Sequence, residues 1–216
     1  MVDLPLASKP ESDFTFLMFV RRFRESNFVK YVLYVSSVTF AAHVAGPYFS
    51  VFMLRDLQFN YLHYMAVHLG SVLMGLLSFP SWGRHADLIG IAKILKITSL
   101  LVPLIPFAWL FSRNLYYLIA VEMFAGFAWG GFQLCASNYI YDAVSPEKRV
   151  RCLGYFNLNT GTAIFAGTSL GGFLADRLPP LFGPPMCGLF LLSAILRFAA
   201  HFLLSPKFRE VRATAK

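Results

Sequence analysis

The chain has 216 residues, 57% of them hydrophobic and only 14% charged, with a formal charge of +8. A soluble domain carries roughly 25% charged residues, so this set cannot build a water-facing surface, and lipid is the solvent it fits. The positive balance does not point to nucleic acid, because the bases sit in short breaks between apolar runs rather than in one patch.

Met1 to Asp13 holds two prolines, three acids and the single base Lys9, which is not the pattern of a cleavable leader. Phe14 to Phe28 mixes Phe, Leu and Met with Arg21, Arg22 and Arg24. Two readings stand: an interfacial helix on anionic lipid, or a linker whose arginines fix orientation. Residues 1–27 are therefore taken as a cytoplasmic lead-in, 28–205 as the membrane domain and 206–216 as a cytoplasmic tail.

A helix crossing the hydrocarbon core needs about 20 apolar residues. Six runs qualify: Phe28 to Leu54, Leu62 to Phe79, Ile91 to Phe111, Leu115 to Ile140, Leu153 to Ala175 and Met186 to Leu204. None alternates as a barrel strand would, so the expected fold is an all-α membrane protein with a six-helix bundle. The first run carries the breaker Gly46-Pro47 and the polar stripe Ser36, Thr39, His43, Pro47 and Ser50.

Between the second and third runs lies Gly83-Arg84-His85-Ala86-Asp87-Leu88-Ile89-Gly90-Ile91-Ala92-Lys93. Gly83 and Gly90 allow close approach and unusual dihedrals. Asp87 can pair with a base such as Lys93 or with a helix N-terminus, giving a clasp that holds one conformational state. The third run is interrupted by Pro103 and Pro106.

The fourth run holds Glu122, with Gly126, Trp129 or Gly130, Gln133 and Ser137 at helical spacing on the same face. An acid inside a span is a functional candidate by default. Glu122 or His43 would exchange a proton; the competing readings are a structural pair for Glu122 and a neutral, helix-bonded ring for His43. Gly126-x-x-x-Gly130 and Gly167-x-x-x-Gly171 are close-packing signals.

The loop after the fourth run reads Pro146-Glu147-Lys148-Arg149-Val150-Arg151. In the fifth run, Asn157 and Asn159 read as interhelical glue. Gly167-Thr168-Ser169-Leu170-Gly171 has the spacing of a nucleophile elbow, but inside an apolar helix it lacks the strand and turn that pattern needs. Gly172 to Asp176 repeats the spacing of Gly83 to Asp87 on the opposite membrane side; an inverted repeat and chance both account for it.

In the last run, Arg197 either snorkels to the interface or is buried against an acid such as Asp142, or against an anion. Cys135, Cys152 and Cys187 form no metal spacing, and no phosphate loop is present. No cofactor, no metal and no catalytic residue is expected.

With the N-terminus placed in the cytoplasm, alternate breaks gather most of the Lys and Arg and the opposite side holds only Arg55, Arg113 and Arg177. Both termini are then cytoplasmic, as expected for a multi-pass protein of the cell membrane.

The Gly83-to-Lys93 segment, the Pro146-to-Arg151 segment and Ala45-Gly46-Pro47-Tyr48-Phe49 with Met53-Leu54-Arg55-Asp56-Leu57 resemble three features of the major facilitator superfamily. Ile91 and Ala92 stand where that family usually has bases. The resemblance covers about residues 20 to 205 and is to the second half, helices seven to twelve, of a twelve-helix transporter. It implies a half with a 3+3 inverted repeat that moves a small-molecule substrate by alternating access, with a proton as the coupling ion.

The resemblance adds Glu147 and Arg149 to the conformational loop residues Gly83, Asp87, Gly90 and Lys93. It also sets Glu122, His43, Gln133, Trp129 and Ser50 on the two cavity-lining helices. A missing six-helix half, or a second copy of the chain, would supply the opposing wall. The alternative function is a non-transporting scaffold or an inactive half.

Overall fold

The computed structural model describes residues 26–175, 177, 178, 184 and 186–210. The interfacial segment before Asn27, Asp176 of the second G-x-x-x-D spacing, and the tail bases Arg212 and Lys216 lie outside the described residues. Among the described residues there is no strand. The helices are α1 Asn27–Val51, α2 Tyr61–Ile89, α3 Ile91–Leu101, α4 Leu104–Ala108, α5 Leu115–Ala143, α6 Pro146–Ala175 and α7 Met186–Leu204.

Local chemistry sets most of the boundaries. Past Pro47, α1 runs into a π-helical turn, Phe52–Asp56, closed by the Leu57 N–H on the Phe52 carbonyl at 2.9 Å. Asn60 caps α2 by accepting the His63 N–H at 2.8 Å, and Asn114 caps α5 by accepting the Tyr116 N–H at 2.9 Å. Pro103 and Pro106 split the third predicted run into α3 and α4, because neither can donate to the preceding turn.

Two connections are shorter than the sequence suggests. Gly83 to Asp87 is helical, and the whole turn between α2 and α3 is Gly90, with φ 102° and ψ 144°. A side chain there would be strained; at Gly83 an added Cβ would meet only Leu134, at 3.9 Å. The Pro146-to-Arg151 segment is likewise not a loop. Pro146 occupies the first position of α6, where its missing N–H costs nothing, so Glu147 and Arg149 ride on the first turn of the helix.

Five stretches are long and apolar enough to cross a membrane: Asn27–Asp56, Tyr61–Ile89, Ile91–Ala108, Leu115–Ala143 and Met186–Lys207. The expected fifth span lies within α6, a 30-residue helix that does not reach that hydropathy because Asn157, Asn159, Thr160 and Thr162 interrupt it.

Packing follows two glycine seams. On α5, Gly126 lies against the Ser71 carbonyl of α2, and Gly130 against Gly75 and Ser78. On α6, Gly167 lies against the Phe40 carbonyl of α1, and Gly171 against the Val44 carbonyl. The α1 helix also packs on α7, and α5 on α3. Two aromatic-rich cores result, one around Tyr31, Tyr34, Trp82 and Tyr139, the other around Phe52, Trp109, Leu118 and Phe190. Leu62, Leu73, Leu76 and Leu77 on α2 stay exposed. An apolar face of that size is stable only in lipid or against further protein.

The seams make a directional prediction. Gly126→Ala pushes a methyl group into the Ser71 carbonyl and should lower thermal stability in detergent by about 1–3 kcal/mol. Gly154→Ala on α6 meets nothing within 4 Å and should be neutral or stabilising. Equal unfolding midpoints for the two variants would rule out the seam as the packing contact.

Candidate functional site

Ser36, Ser37 and Phe40 of α1 face Leu158, Asn159, Thr162, Ala163 and Ala166 of α6 across an open groove of about 450 Å³. Every lining side chain is neutral. Asn159 donates to its own helix at the Tyr155 carbonyl, 2.8 Å, and Thr162 donates to the Leu158 carbonyl, 2.8 Å. Those bonds spend a donor from each and leave their oxygens free to accept. The buried Ser36 hydroxyl has no hydrogen-bond partner. Ser36 belongs to the polar stripe of α1 legible in the sequence, whereas Ser37 and Thr162 fall outside any such stripe and Asn159 reads there as interhelical glue. The low hydropathy of α6 was the signal available.

The two stripes on α1 and α5 are not brought together. The α1 helix packs mainly on α6 and α7, and α5 on α2 and α3. His43 is half-buried, its Nδ1 lies 2.8 Å from the Thr39 carbonyl one turn back, and its Cβ lies beside Gly167 of α6. Ser50 Oγ is 3.3 Å from the Tyr64 hydroxyl of α2. The α5 stripe divides along its length: α2 covers Gly126 and Gly130, while Gln133 and Ser137 stay exposed. Trp129 wedges between the two cores, edge-on to Phe132 at 5.4 Å.

Glu122 points into the bundle, towards the Ser71 hydroxyl, the Trp109 indole and the field of Arg197. Arg197 does not snorkel, and Asp142, which is exposed on α5, is not its partner. It is 3% exposed. Nε donates to Ser193 Oγ at 3.1 Å, Nη1 to the Val102 carbonyl at 3.0 Å and Nη2 to the Ala42 carbonyl at 3.3 Å. Val102 lies four residues before Pro106, so the proline has removed the α-helical N–H that would have bonded its carbonyl and left it only a long bond from the Ile105 N–H, at 3.4 Å. Arg197 adds the shorter of the two bonds that carbonyl accepts. The sequence contained both proline and arginine, but their meeting requires α7 to lie across the α3–α4 break.

One turn further along α7, His201 Nδ1 is 2.8 Å from Ser99 Oγ and 3.3 Å from the Tyr34 hydroxyl. Tyr34 and Ser99 also bond each other. Ser193, Arg197 and His201 thus form a buried polar line along α7, spaced one turn apart.

At the α2–α3 turn, Asp87 and Lys93 are both exposed, on either side of Gly90. At the start of α6, Arg149 Nη2 donates to the Tyr141 carbonyl at 3.1 Å and the guanidinium lies 5.0 Å from the Tyr141 ring. The Glu147 carboxyl is held below its usual range by its own main-chain N–H, with help from Ser145 and the nearby Lys148 and Arg149. No group of three or more His, Cys, Asp or Glu that could hold a metal occurs among the described residues.

Arg197→Leu should remove the bonds to Ser193, Val102 and Ala42, leave the Val102 carbonyl only its long bond from Ile105, and lower stability by about 1–3 kcal/mol. Arg197→Lys, able to reach one carbonyl, should fall between the two in a thermal melt. A leucine variant as stable as the parent would mean that the carbonyls find other partners.

The family described as Major Facilitator Superfamily matches residues 32–216. No curated protein matches the chain.

Proposed function

This chain belongs to the major facilitator superfamily, and from that premise we propose that it moves a small neutral solute across the cell membrane by alternating access. The family is one of membrane transporters and not of enzymes. The observation that carries the solute class is the groove between α1 and α6, polar but without a charge, on a bundle whose outer faces are apolar. Hydroxyl and amide oxygens there suit a solute that donates hydrogen bonds, and Phe40 offers a flat apolar wall. Burying an ionic solute against such a lining would leave its charge unpaired.

We read α6 as the fifth of six spans. Its length of 30 residues gives roughly 45 Å at helical rise, and polar residues facing a cavity lower its hydropathy without preventing a crossing. The packing supports a 3+3 inverted repeat. The first span packs on the fifth and sixth, the fourth on the second and third, so exchanging the triplets preserves the pattern. Lys30, Arg84, Lys93, Lys148, Arg149 and Lys207 gather at the end that holds the Gly90 turn. That end is cytoplasmic by the positive-inside rule, as are both termini. The groove has one wall in this chain, and a further six-helix half or a second copy supplies the other.

Gly83, Asp87, Gly90, Lys93, Glu147 and Arg149 belong to the face that parts and closes as the bundles rock. Ser50, Trp129 and Gln133 have positioning roles, Gln133 on the open face. Glu122 is the proton-exchanging group, with Arg197 as the charge that responds to it; His43 lines the α1–α6 seam near the groove. A ligand shifts such an equilibrium only through a difference in affinity between the two facings, so a proton on Glu122 acts by changing its interaction with Arg197.

The test is counterflow of a panel of labelled neutral polyols, sugars and amides in proteoliposomes, together with an internal pH dye. Thr162→Val and Ser37→Ala should each reduce uptake several-fold without loss of folded protein. Glu122→Gln should abolish the pH change that accompanies uptake. Absence of any counterflow, with the chain alone and with a co-expressed half, would favour a non-transporting scaffold or inactive half.

A further inference from the structure

The requirement for glycine at the α2–α3 turn creates a second requirement. With φ at 102°, Gly90 is the cap position of α3 and has no side chain with which to satisfy the first N–H groups of that helix. The carboxylate of Glu210 does so instead: Ala92 N–H donates to its Oε2 at 2.7 Å, across 118 residues of sequence. An anion at a helix N-terminus is also favoured by the helix dipole.

Glu210 reaches that place because Ser205–Lys207 forms a 3-10 turn that redirects the chain across the end of the bundle. The next three residues are each held. Phe208 is 0% exposed, its ring 4.9 Å from Tyr34, 5.9 Å from Tyr139 and 6.2 Å from Tyr31. Lys96 Nζ stands 4.7 Å from the ring centre and donates to the Phe208 carbonyl at 3.0 Å. Arg209 is held by its main chain. Its N–H donates to Asn27 Oδ1 at 2.8 Å, and its carbonyl accepts from Asn27 Nδ2 at 2.9 Å and from the Tyr139 hydroxyl at 2.7 Å. Asn27 Nδ2 also donates to the Tyr139 hydroxyl, at 2.8 Å, which closes a three-membered ring of bonds. The segment read from sequence as tail is therefore packed as far as Glu210.

We propose that Phe208–Glu210 is a latch that, when docked, holds the starts of α1 and α3 and the end of α5 as one body, and that, when released, frees the Gly90 turn to change conformation. The geometry is that of a reversible contact. One aromatic ring fills a pocket made of other residues' rings, and one amide and one carboxylate hold a three-residue stretch that has no regular structure of its own. It also accounts for Ile91 and Ala92 at positions where a basic clasp was expected. Here the charge at the turn comes from Glu210 and acts on a backbone N–H.

Two native cysteines report on the latch. Cys135 is 0% exposed, one turn before Tyr139 beneath the strap, and Cys187 is 3% exposed at the start of α7, at the opposite end. Maleimide labelling of the full chain in nanodiscs, mapped by peptide mass spectrometry, distinguishes them from the half-exposed Cys152. Asn27→Ala, Phe208→Ala and Glu210→Gln should each raise the Cys135 labelling rate by about tenfold, the factor expected for losing one charge-assisted hydrogen bond or its equivalent. Cys187 labelling should be unchanged, and Arg209→Ala, which keeps the main chain, should leave both sites as in the parent. A parallel rise at Cys135 and Cys187 would identify the segment as general packing and overturn the latch; so would no rise at either. For any variant that folds poorly, amide exchange in Glu210→Gln decides. Exchange should quicken at Ala92 to Leu95 and not at Tyr116 to Leu118, and equal change at both helix starts would also overturn the proposal. Neither readout depends on transport, so this outcome is separate from that of the solute assay.

Discussion

In hydrocarbon a carbonyl without a donor has no water to turn to, and the bundle is arranged around that constraint. Pro106 strips the Val102 carbonyl of its α-helical partner and leaves it a long bond from Ile105, and Arg197 comes from another helix to add a shorter one. The same guanidinium reaches Ala42 on α1 and Ser193 on its own helix. Three helices are thereby fixed to one buried cation. Glu122 lies within the field of the same cation, which holds α1, the end of α3 and α7. In the transport cycle proposed above, a change of charge at Glu122 would reach the helix packing through that cation.

The glycine seams meet the same constraint by another route. Side-chain burial contributes little to helix association in lipid, because the tails are as apolar as leucine. Close backbone approach remains as the source of contact energy. Gly126 against Ser71 and Gly171 against Val44 bring α5 onto α2 and α1 onto α6. With those two pairs set, the faces carrying Ser37, Asn159 and Thr162 are left uncovered on one side of the bundle. The groove is a consequence of where the glycines are as much as of where the polar residues are.

What the sequence made legible was whatever depends on one helix at a time. Apolar run length located the spans, Pro103 and Pro106 marked the broken one, and the cap residues Asn60 and Asn114 stand where helices begin. The alignment of Glu122 with Gln133 and Ser137 was correct as periodicity. It fails as a statement about environment, because α2 packs along α5 at Gly126, Gly130 and Gly131 while Gln133 and Ser137 stay exposed. Helical spacing cannot reveal which residues of a face a neighbouring helix covers. For Arg197 the sequence leaves snorkelling and burial both open, and what selects burial is a set of acceptors on other helices, the Val102 and Ala42 carbonyls, that one helix cannot reveal.

The Gly90 turn carries this argument to its end. A single positive-φ residue makes the sharpest connection two long helices can share, but the residue best suited to it cannot cap the helix it starts. A cap must then come from elsewhere, and a carboxylate held by a strap of three residues is a donor-satisfying group that can also leave. A residue built into α2 or α3 could cap the turn just as well in one conformation, yet it would move with the helices and cap it in every other. Placing the cap on a separate segment, pinned by Asn27, Tyr139 and a pocket for Phe208, makes the turn's stability depend on whether that segment is docked. The local geometry of one glycine thus ties a stretch following the last helix to a turn 118 residues earlier in the sequence.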